Sequence, residues 1–284
     1  MNLEEKERRL EAVLAEPASA VVAFSGGVDS SYLAWKTYGI LGRRMIAVTA
    51  ESASTPSRQR RLAARIIGDY GIPHRIFRSG EIEIAEFRAN DADRCYYCKD
   101  EICSRLREIA DDAGFAAVLD GFNADDLDDF RPGRRAALKH GVRSPLMEAG
   151  LTKNDIRELS RRAGLPTADE PASACLATRL PYGVEITAEK LQLVDRCEEY
   201  LREEGFQVFR VRHHETLARI ELGPDDLKRA LNQETAASLS AAFKSFGYQF
   251  VTLDLEGYRM GSANEVLSDQ EKRKYIERPP GFEL

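Results

Sequence analysis

Phe24-Ser25-Gly26-Gly27-Val28-Asp29-Ser30-Ser31 is the stretch on which the fold turns. Before it lies Ser19-Ala20-Val21-Val22-Ala23, an apolar run of the length of a buried parallel strand. After it comes a helical pattern from Asp29 to about Tyr38. A glycine pair between a strand and a helix lets the backbone bend and come close to a ligand. The free amides and the dipole at the helix start favour an anion, the dipole by roughly 0.3–1 kcal/mol. Ser25, Ser30 and Ser31 add hydroxyls, so the segment is expected to hold phosphate. Asp29 would repel phosphate unless a cation stood between, which points to Mg²⁺ bridging Asp29 and a pyrophosphate. The segment is neither a Walker loop nor a G-x-G-x-x-G dinucleotide fingerprint.

Outward from this loop the pattern alternates. A charged helix is expected over 3–15, with Leu3, Leu10, Val13 and Leu14 as its apolar side and Pro17 beyond its end. Further strands are expected over 45–50, 74–77 and 116–120, and helices from Thr55-Pro56 to Tyr70, 99–113 and 152–163. Thr55 is expected as N-cap and Pro56 as the first helical residue. Strands alternating with helices imply an α/β fold with a parallel sheet covered on both faces. The pattern changes across 165–185, which holds Pro166, Pro171, Pro181 and Gly183. Beyond it are a helix over 187–204, strands over 206–213 and 217–222, a helix over 224–246 and a strand over 248–253. Two domains are expected: residues 1–170 as an ATP-binding domain and 171–284 as a smaller α+β substrate-binding domain.

The chain of 284 residues is long enough for two such units. No apolar stretch approaches the ~20 residues needed to span a bilayer, and Met1-Asn2-Leu3-Glu4-Glu5-Lys6-Glu7-Arg8-Arg9 is too charged for a signal peptide. No membrane association and a cytoplasmic location are the default expectations. The net charge of −6 lacks the basic excess that drives nucleic-acid binding, so no nucleic-acid partner is expected. A homo-oligomer is compatible with the sequence. The odd number of cysteines, five, argues against a disulfide framework.

Arg94-Cys95-Tyr96-Tyr97-Cys98-Lys99 sets two thiols three residues apart at a helix start, where the helix terminus and flanking cations are expected to favour thiolates. Alone, this pair could be a redox motif, half a zinc site or part of an iron–sulfur site. His74, His140, His213 and His214 show no ligand-type spacing with it. A third thiol, Cys175, stands in Pro171-Ala172-Ser173-Ala174-Cys175-Leu176-Ala177-Thr178-Arg179-Leu180-Pro181-Tyr182-Gly183. Cys103 and Cys197 fall at helical spacing among apolar residues and read as packed thiols. Arg210 and Arg212, two apart on a strand, point to one face, and their guanidinium forks suit phosphate or carboxylate.

The glycine loop resembles the PP-loop of the ATP pyrophosphatases, and Gly121-Phe122-Asn123-Ala124-Asp125-Asp126 resembles their second signature. That resemblance implies an acyl-adenylate formed with release of pyrophosphate, with Ser25, Gly26, Gly27, Asp29, Ser30, Ser31, Asn123 and Asp126 around the nucleotide. Seven separated segments, in order, are similar to one branch: the LarE-type sulfur transferases of nickel-pincer nucleotide biosynthesis. They are Arg94–Lys99, Ser144-Pro145-Leu146, Gly164-Leu165-Pro166-Thr167, the Cys175 phrase, Arg210-Val211-Arg212-His213-His214, Ala218-Arg219-Ile220-Glu221 and Gly261-Ser262-Ala263-Asn264. Ala168, Glu170 and Thr178 depart from the family phrase, which has Trp, Lys and Ser there.

The resemblance implies that ATP and Mg²⁺ activate the carboxylates of a pyridinium dicarboxylate mononucleotide, which a sulfur nucleophile then converts to thiocarboxylates. Cys175, Asp29, Arg179, Glu198 and Glu221 fall at its catalytic positions, and Arg210 and Arg212 near the substrate phosphate. Its members take sulfur either from the cysteine at the Cys175 position or from sulfide on a [4Fe–4S] cluster. Cys95, Cys98 and Cys175 match the cluster type, and the sulfide donor stays open. The competing readings are an iron–sulfur tRNA thiolase, an amide-forming PP-loop synthetase and a non-catalytic nucleotide sensor.

Overall fold

The computed structural model describes residues 1–127, 132–171, 174–259, 261–262 and 265–268. Ala172, Ser173, Ala263 and Asn264, quoted above in two motifs, lie outside the described residues.

Helix α1 (Leu3–Ala15) buries Leu10 and Leu14 and begins at a capping box between Asn2 and Glu5. Strand β1 (Ala20–Ala23) leads into α2 (Val28–Leu41), followed by β2 (Met45–Glu51) and α3 (Ser57–Tyr70). Strand β3 (His74–Arg78), the short α4 (Ala85–Arg88) and the long α5 (Arg94–Ala113) come next, then β4 (Ala117–Leu119). Three helices close this part: α6 (Gly133–Lys139), α7 (Pro145–Glu148) and α8 (Lys153–Arg162). Helix α8 starts at a second capping box, Thr152 with Asp155.

The strands form one parallel sheet in the order β3-β2-β1-β4, which bears out the expected α/β class. Alternation along the strands decides which core each residue enters. Ala20, Val22 and Ala47 face a core shared with Leu10, Leu14, Tyr32, Leu33, Ile66 and Ile156. Val21, Val48 and Val118 face the other, with Cys103, Leu106, Ile109 and Ala137. Helices therefore cover both faces. Val21 and Val22 are fully buried, each worth about 1.5–3 kcal/mol relative to exposure.

After a 3₁₀ turn at Leu176–Arg179, α9 (Ala188–Glu203) leads to β5 (Phe209–His214), β6 (Leu217–Leu222), α10 (Pro224–Ala230), α11 (Gln233–Phe246) and β7 (Phe250–Leu253). The second sheet runs β5-β6-β7, antiparallel then parallel. Leu201, Phe206, Val211, Ile220, Leu239 and Phe243 form its core.

Three expectations are corrected. The N-cap of α3 is Pro56, not Thr55, and Thr55 instead shares hydroxyl contacts with Ser52. Helix α5 begins at Arg94 rather than Lys99, so both thiols of the Cys-x-x-Cys pair lie in its first turns. The helix expected over 224–246 is two helices, because the Asn232 side chain accepts from the Glu234 and Thr235 amides and caps a new start.

Candidate functional site

Strand order reverses between β1 and β4, and in open α/β sheets the crevice beyond the strand ends at such a point is where ligands bind. The glycine loop leaves β1 there and Gly121–Asp126 leaves β4 beside it. Gly26 has φ +76°, and a Cβ added to it would lie 2.7 Å from the Ala63 Cβ. Only glycine meets both demands. A Cβ on Gly121 would lie 3.2 Å from the Ser30 amide, so the second loop is pressed against the first turn of α2.

The serines form a small network. Ser30 Oγ accepts from the Ser25 amide at 3.2 Å and donates to the Gly27 carbonyl at 3.2 Å. Ser31 Oγ is buried without a partner. The N-cap of α2 is Gly27, which offers no side chain to the helix amides. Open amides, an orphan hydroxyl and a cradle that a Cβ would fill fit a phosphate chain. Asn123 Nδ2 lies 3.5 Å from Asp29 Oδ1, and the Asn123 amide donates to Asp126 Oδ2 at 3.0 Å. Asp29 supplies carboxylate oxygens of the kind that suit Mg²⁺, while Asn123 Oδ1 accepts from the Asp125 amide at 2.9 Å.

Lys153 carries a signal that the sequence did not betray. Its Nζ pairs with Asp29 Oδ2 and its amide donates to Asp125 Oδ2 at 2.8 Å. It stands at the start of α8, 124 residues from Asp29, and no local pattern links the two.

The thiols come together from two directions. Asn90 adopts φ 59°, a conformation that asparagine tolerates better than most residues. Its Nδ2 donates to the carbonyls of Pro181 at 2.7 Å and Val184 at 2.9 Å, and its Oδ1 accepts from Arg94 at 2.6 Å. The start of α5 is thereby tied to the segment after Cys175. From the other side, the Leu176 amide donates to the Ser54 carbonyl at 2.8 Å. Cys98 and Cys175 both pack against a cluster built on Phe87, Leu176, Ala177 and Leu180. Burial pushes the Cys98 thiol well above its ordinary range. Cys175, Glu81 and Cys95 push it the same way, and Lys99 opposes them. This corrects the expectation of a favoured thiolate at Cys98: desolvation outweighs the helix terminus and the neighbouring cation, and Lys99 faces Asp120 at 3.5 Å.

The described residues include all five cysteines and contain no disulfide. Among them, no group of three or more His, Cys, Asp or Glu side chains is drawn close enough to hold a single metal ion. A cluster asks for a looser set, since each thiolate binds a different iron. Three thiols in one electrostatic neighbourhood, partly lined by apolar side chains, fit that donor set. Cys103 and Cys197 are fully buried, and burial raises their thiols to about 11 and about 12.

Two buried ion pairs stand behind the Cys175 turn. Arg179 forks onto Glu198 at 2.9 and 3.0 Å, with the side chains only 3% and 6% exposed. The remaining Arg179 nitrogen donates to the carbonyls of Ala174 at 3.1 Å and Cys175 at 3.3 Å and to Thr178 Oγ1 at 2.8 Å. Arg212 forks onto Glu221 at 2.8 Å twice and donates to the Thr178 carbonyl at 2.9 Å and Ser262 Oγ at 3.0 Å. Arg210 lies over the Tyr258 ring at 5.0 Å. Burial lowers its pKa, with Arg179 and Arg212 acting in the same direction. Arg179, Arg210, Arg212 and Arg219 face Glu198, Glu221 and Asp254, which leaves this corner with one positive charge in excess.

No protein-family model matches the chain. The chain is 35% identical over 266 residues to pyridinium-3,5-bisthiocarboxylic acid mononucleotide synthase of Lactiplantibacillus plantarum, covering 93% of this chain and 95% of that one. It is 42% identical over 266 residues to an uncharacterized protein of Synechocystis, covering 94% of this chain and 99% of that one. It is 29% identical over 246 residues to an uncharacterized protein of Methanocaldococcus jannaschii, covering 84% of this chain and 90% of that one. Among the described residues, no helix is long and apolar enough to cross a membrane.

Proposed function

This chain belongs to the LarE-type family, that of pyridinium-3,5-bisthiocarboxylic acid mononucleotide synthase, and from that premise we propose an ATP-dependent sulfur transfer to the carboxylates of a pyridinium dicarboxylate mononucleotide. One observation carries the reading. The turn that bears Cys175 is held by Arg179 and Arg212 through its own carbonyls, so the thiol and a cluster of arginines share one support.

ATP lies with its phosphates on the Gly26-Gly27 loop and the first amides of α2, among Ser25, Ser30 and Ser31. Asp29 would hold Mg²⁺, whose charge would offset that on the departing pyrophosphate. Lys153, paired with Asp29, stands within reach of a phosphate on this loop. Asn123 and Asp126 keep the second loop in place. Arg210, with Arg212 and Arg219 beside it, receives the substrate phosphate and orients the carboxylate toward the α-phosphorus. The carboxylate oxygen bonds to that phosphorus as its bond to pyrophosphate breaks. A sulfur nucleophile then attacks the acyl carbon, AMP leaves with the shared oxygen, and a thiocarboxylate remains. Repetition at the second carboxylate completes the product.

Arg179, fully engaged by Glu198 and by carbonyls, acts as a positioning residue for Cys175. Glu221 does the same for Arg212. Cys95, Cys98 and Cys175 would hold a [4Fe–4S] cluster, which supplies an open iron able to carry an added sulfide. Residues 1–170 form the ATP-binding unit and 171–284 the substrate-binding unit in this reading.

The test is pyrophosphate release measured with ATP, Mg²⁺ and the dicarboxylate mononucleotide, with intact protein mass recorded after turnover. Release that depends on the mononucleotide is expected. Release without it, or none with it, overturns the reading. Loss of one H₂S per chain during turnover would assign the sulfur to Cys175 itself.

A further inference from the structure

Among the described residues, Glu81 is a buried carboxyl with an unpartnered oxygen. Glu81 is 1% exposed. Its Oε1 accepts from Ser54 Oγ at 3.1 Å, and its Oε2 is buried with no hydrogen-bond partner. Among the described residues no cation pairs with it. A buried carboxylate oxygen in that state is costly unless something else completes it.

Its surroundings say what that could be. The turn Glu81–Glu83 is tied to α5, because Glu101 Oε2 accepts from Ser79 Oγ at 2.6 Å and Glu101 Oε1 from the Gly80 amide at 3.3 Å. On its other side it is tied to Ser54, whose carbonyl holds the amide of Leu176, the neighbour of Cys175. Ile82 within this turn and Ile84 just after it pack in the same apolar cluster as Cys98 and Cys175. The Glu81 carboxylate therefore sits between the helix that carries Cys95 and Cys98 and the turn that carries Cys175.

We propose that Glu81 is the fourth, displaceable ligand of the cluster held by Cys95, Cys98 and Cys175. The inference rests on the cluster reading above. Three thiolates leave one iron open, and the orphan Oε2 offers the single oxygen needed to close it. A carboxylate is a harder donor than a thiolate, so it is the ligand of the set that gives way to sulfide. In that exchange hydrosulfide takes the place of Oε2. One iron–oxygen bond breaks as one iron–sulfur bond forms, one anion replaces another, and no electron moves. The released carboxylate keeps its hydrogen bond to Ser54.

The experiment uses the full chain, reconstituted anaerobically with iron-57 and sulfide and then desalted. Mössbauer spectra should show one iron with an oxygen ligand, distinct from the other three, and that iron should change on addition of sodium hydrosulfide. Glu81→Gln and Glu81→Ala should keep their iron content and alter the electron paramagnetic resonance of the reduced cluster. If the closed form outweighs the open form about tenfold, Glu81→Ala should take hydrosulfide about tenfold more tightly, since apparent affinity scales with the competent fraction. Four equivalent irons in the wild type, or variants with unchanged spectra and hydrosulfide affinity, overturn the role of Glu81 and leave the three-thiol cluster standing. A wild type that takes up no iron overturns both.

Discussion

Replacing Glu198 by Ala tests how the Cys175 turn is held. The wild-type pair is bidentate, at 2.9 and 3.0 Å, and both side chains are nearly free of solvent contact. Glu198 Oε1 also accepts from the Val211 amide at 3.1 Å. Removing the carboxylate leaves the Arg179 charge buried and unpaired, which costs about 3–5 kcal/mol. For a protein of this size that corresponds to a Tm lower by on the order of 10 °C. Differential scanning fluorimetry and urea titration measure it. The cycle completed with Arg179→Met and the double variant Arg179→Met/Glu198→Ala should show a coupling of roughly 2 kcal/mol, within the range for groups in contact. The double variant will not regain wild-type stability, because the carbonyls of Ala174 and Cys175 lose their donor. Alkylation of Cys175 should be faster in every variant that lacks Arg179. Burial pushes the Glu198 carboxyl up, but Arg179, with Arg210 and the Val211 amide, more than offsets this and holds it below its ordinary 4.5. The folded value lies below the unfolded one, so the stabilisation is complete above the ordinary value and lost as pH falls through the folded one. Wild type should therefore lose more stability on acidification than Glu198→Gln. A Glu198→Ala protein within about 1 kcal/mol of wild type, the spread of ordinary surface changes and mild substitutions, refutes the reasoning.

Gly26→Ala should abolish pyrophosphate release, since its Cβ would meet Ala63 at 2.7 Å and φ is +76°; normal release from this variant would contradict the role given to the loop. Asp29→Asn should stop adenylation while leaving the melting temperature close to wild type, and retained pyrophosphate release would remove Asp29 from the metal site. Arg210→Ala should weaken substrate binding by roughly 1.5–3 kcal/mol, as for a lost hydrogen bond to a charged group, with ATP affinity unchanged; equal substrate affinity by calorimetry would return Arg210 to a structural role. Arg212→Ala is expected to act on substrate in the same way and also to lower stability, because it leaves Glu221 buried without its fork.

What was legible in the sequence was local. Gly26-Gly27 after an apolar run announced the strand-turn-helix, because the backbone conformation at those positions depends on the residues themselves. Thr152 and Thr187 marked helix starts by the same logic, each accepting from an amide three residues on. Leu10 and Leu14 declared the buried face of α1 by their spacing. Even local signals misled where two were in competition: Pro56 displaced Thr55 as the start of α3, and Asn232 cut one expected helix in two. Sheet order and the partners of charged groups were not legible. Lys153 meets Asp29 only because α8 packs against α2. Arg179 meets Glu198 because α9 folds back over the Cys175 turn, and burial, not sequence, makes their pairing strong. The Cys98 thiol shows the limit most clearly. A helix start and a flanking lysine predict a thiolate from sequence, but desolvation, together with Cys175 and Glu81 from distant segments, raises its pKa instead. Backbone conformation is set within a few residues, whereas charge energetics depend on dielectric and neighbours that exist only once the chain has folded.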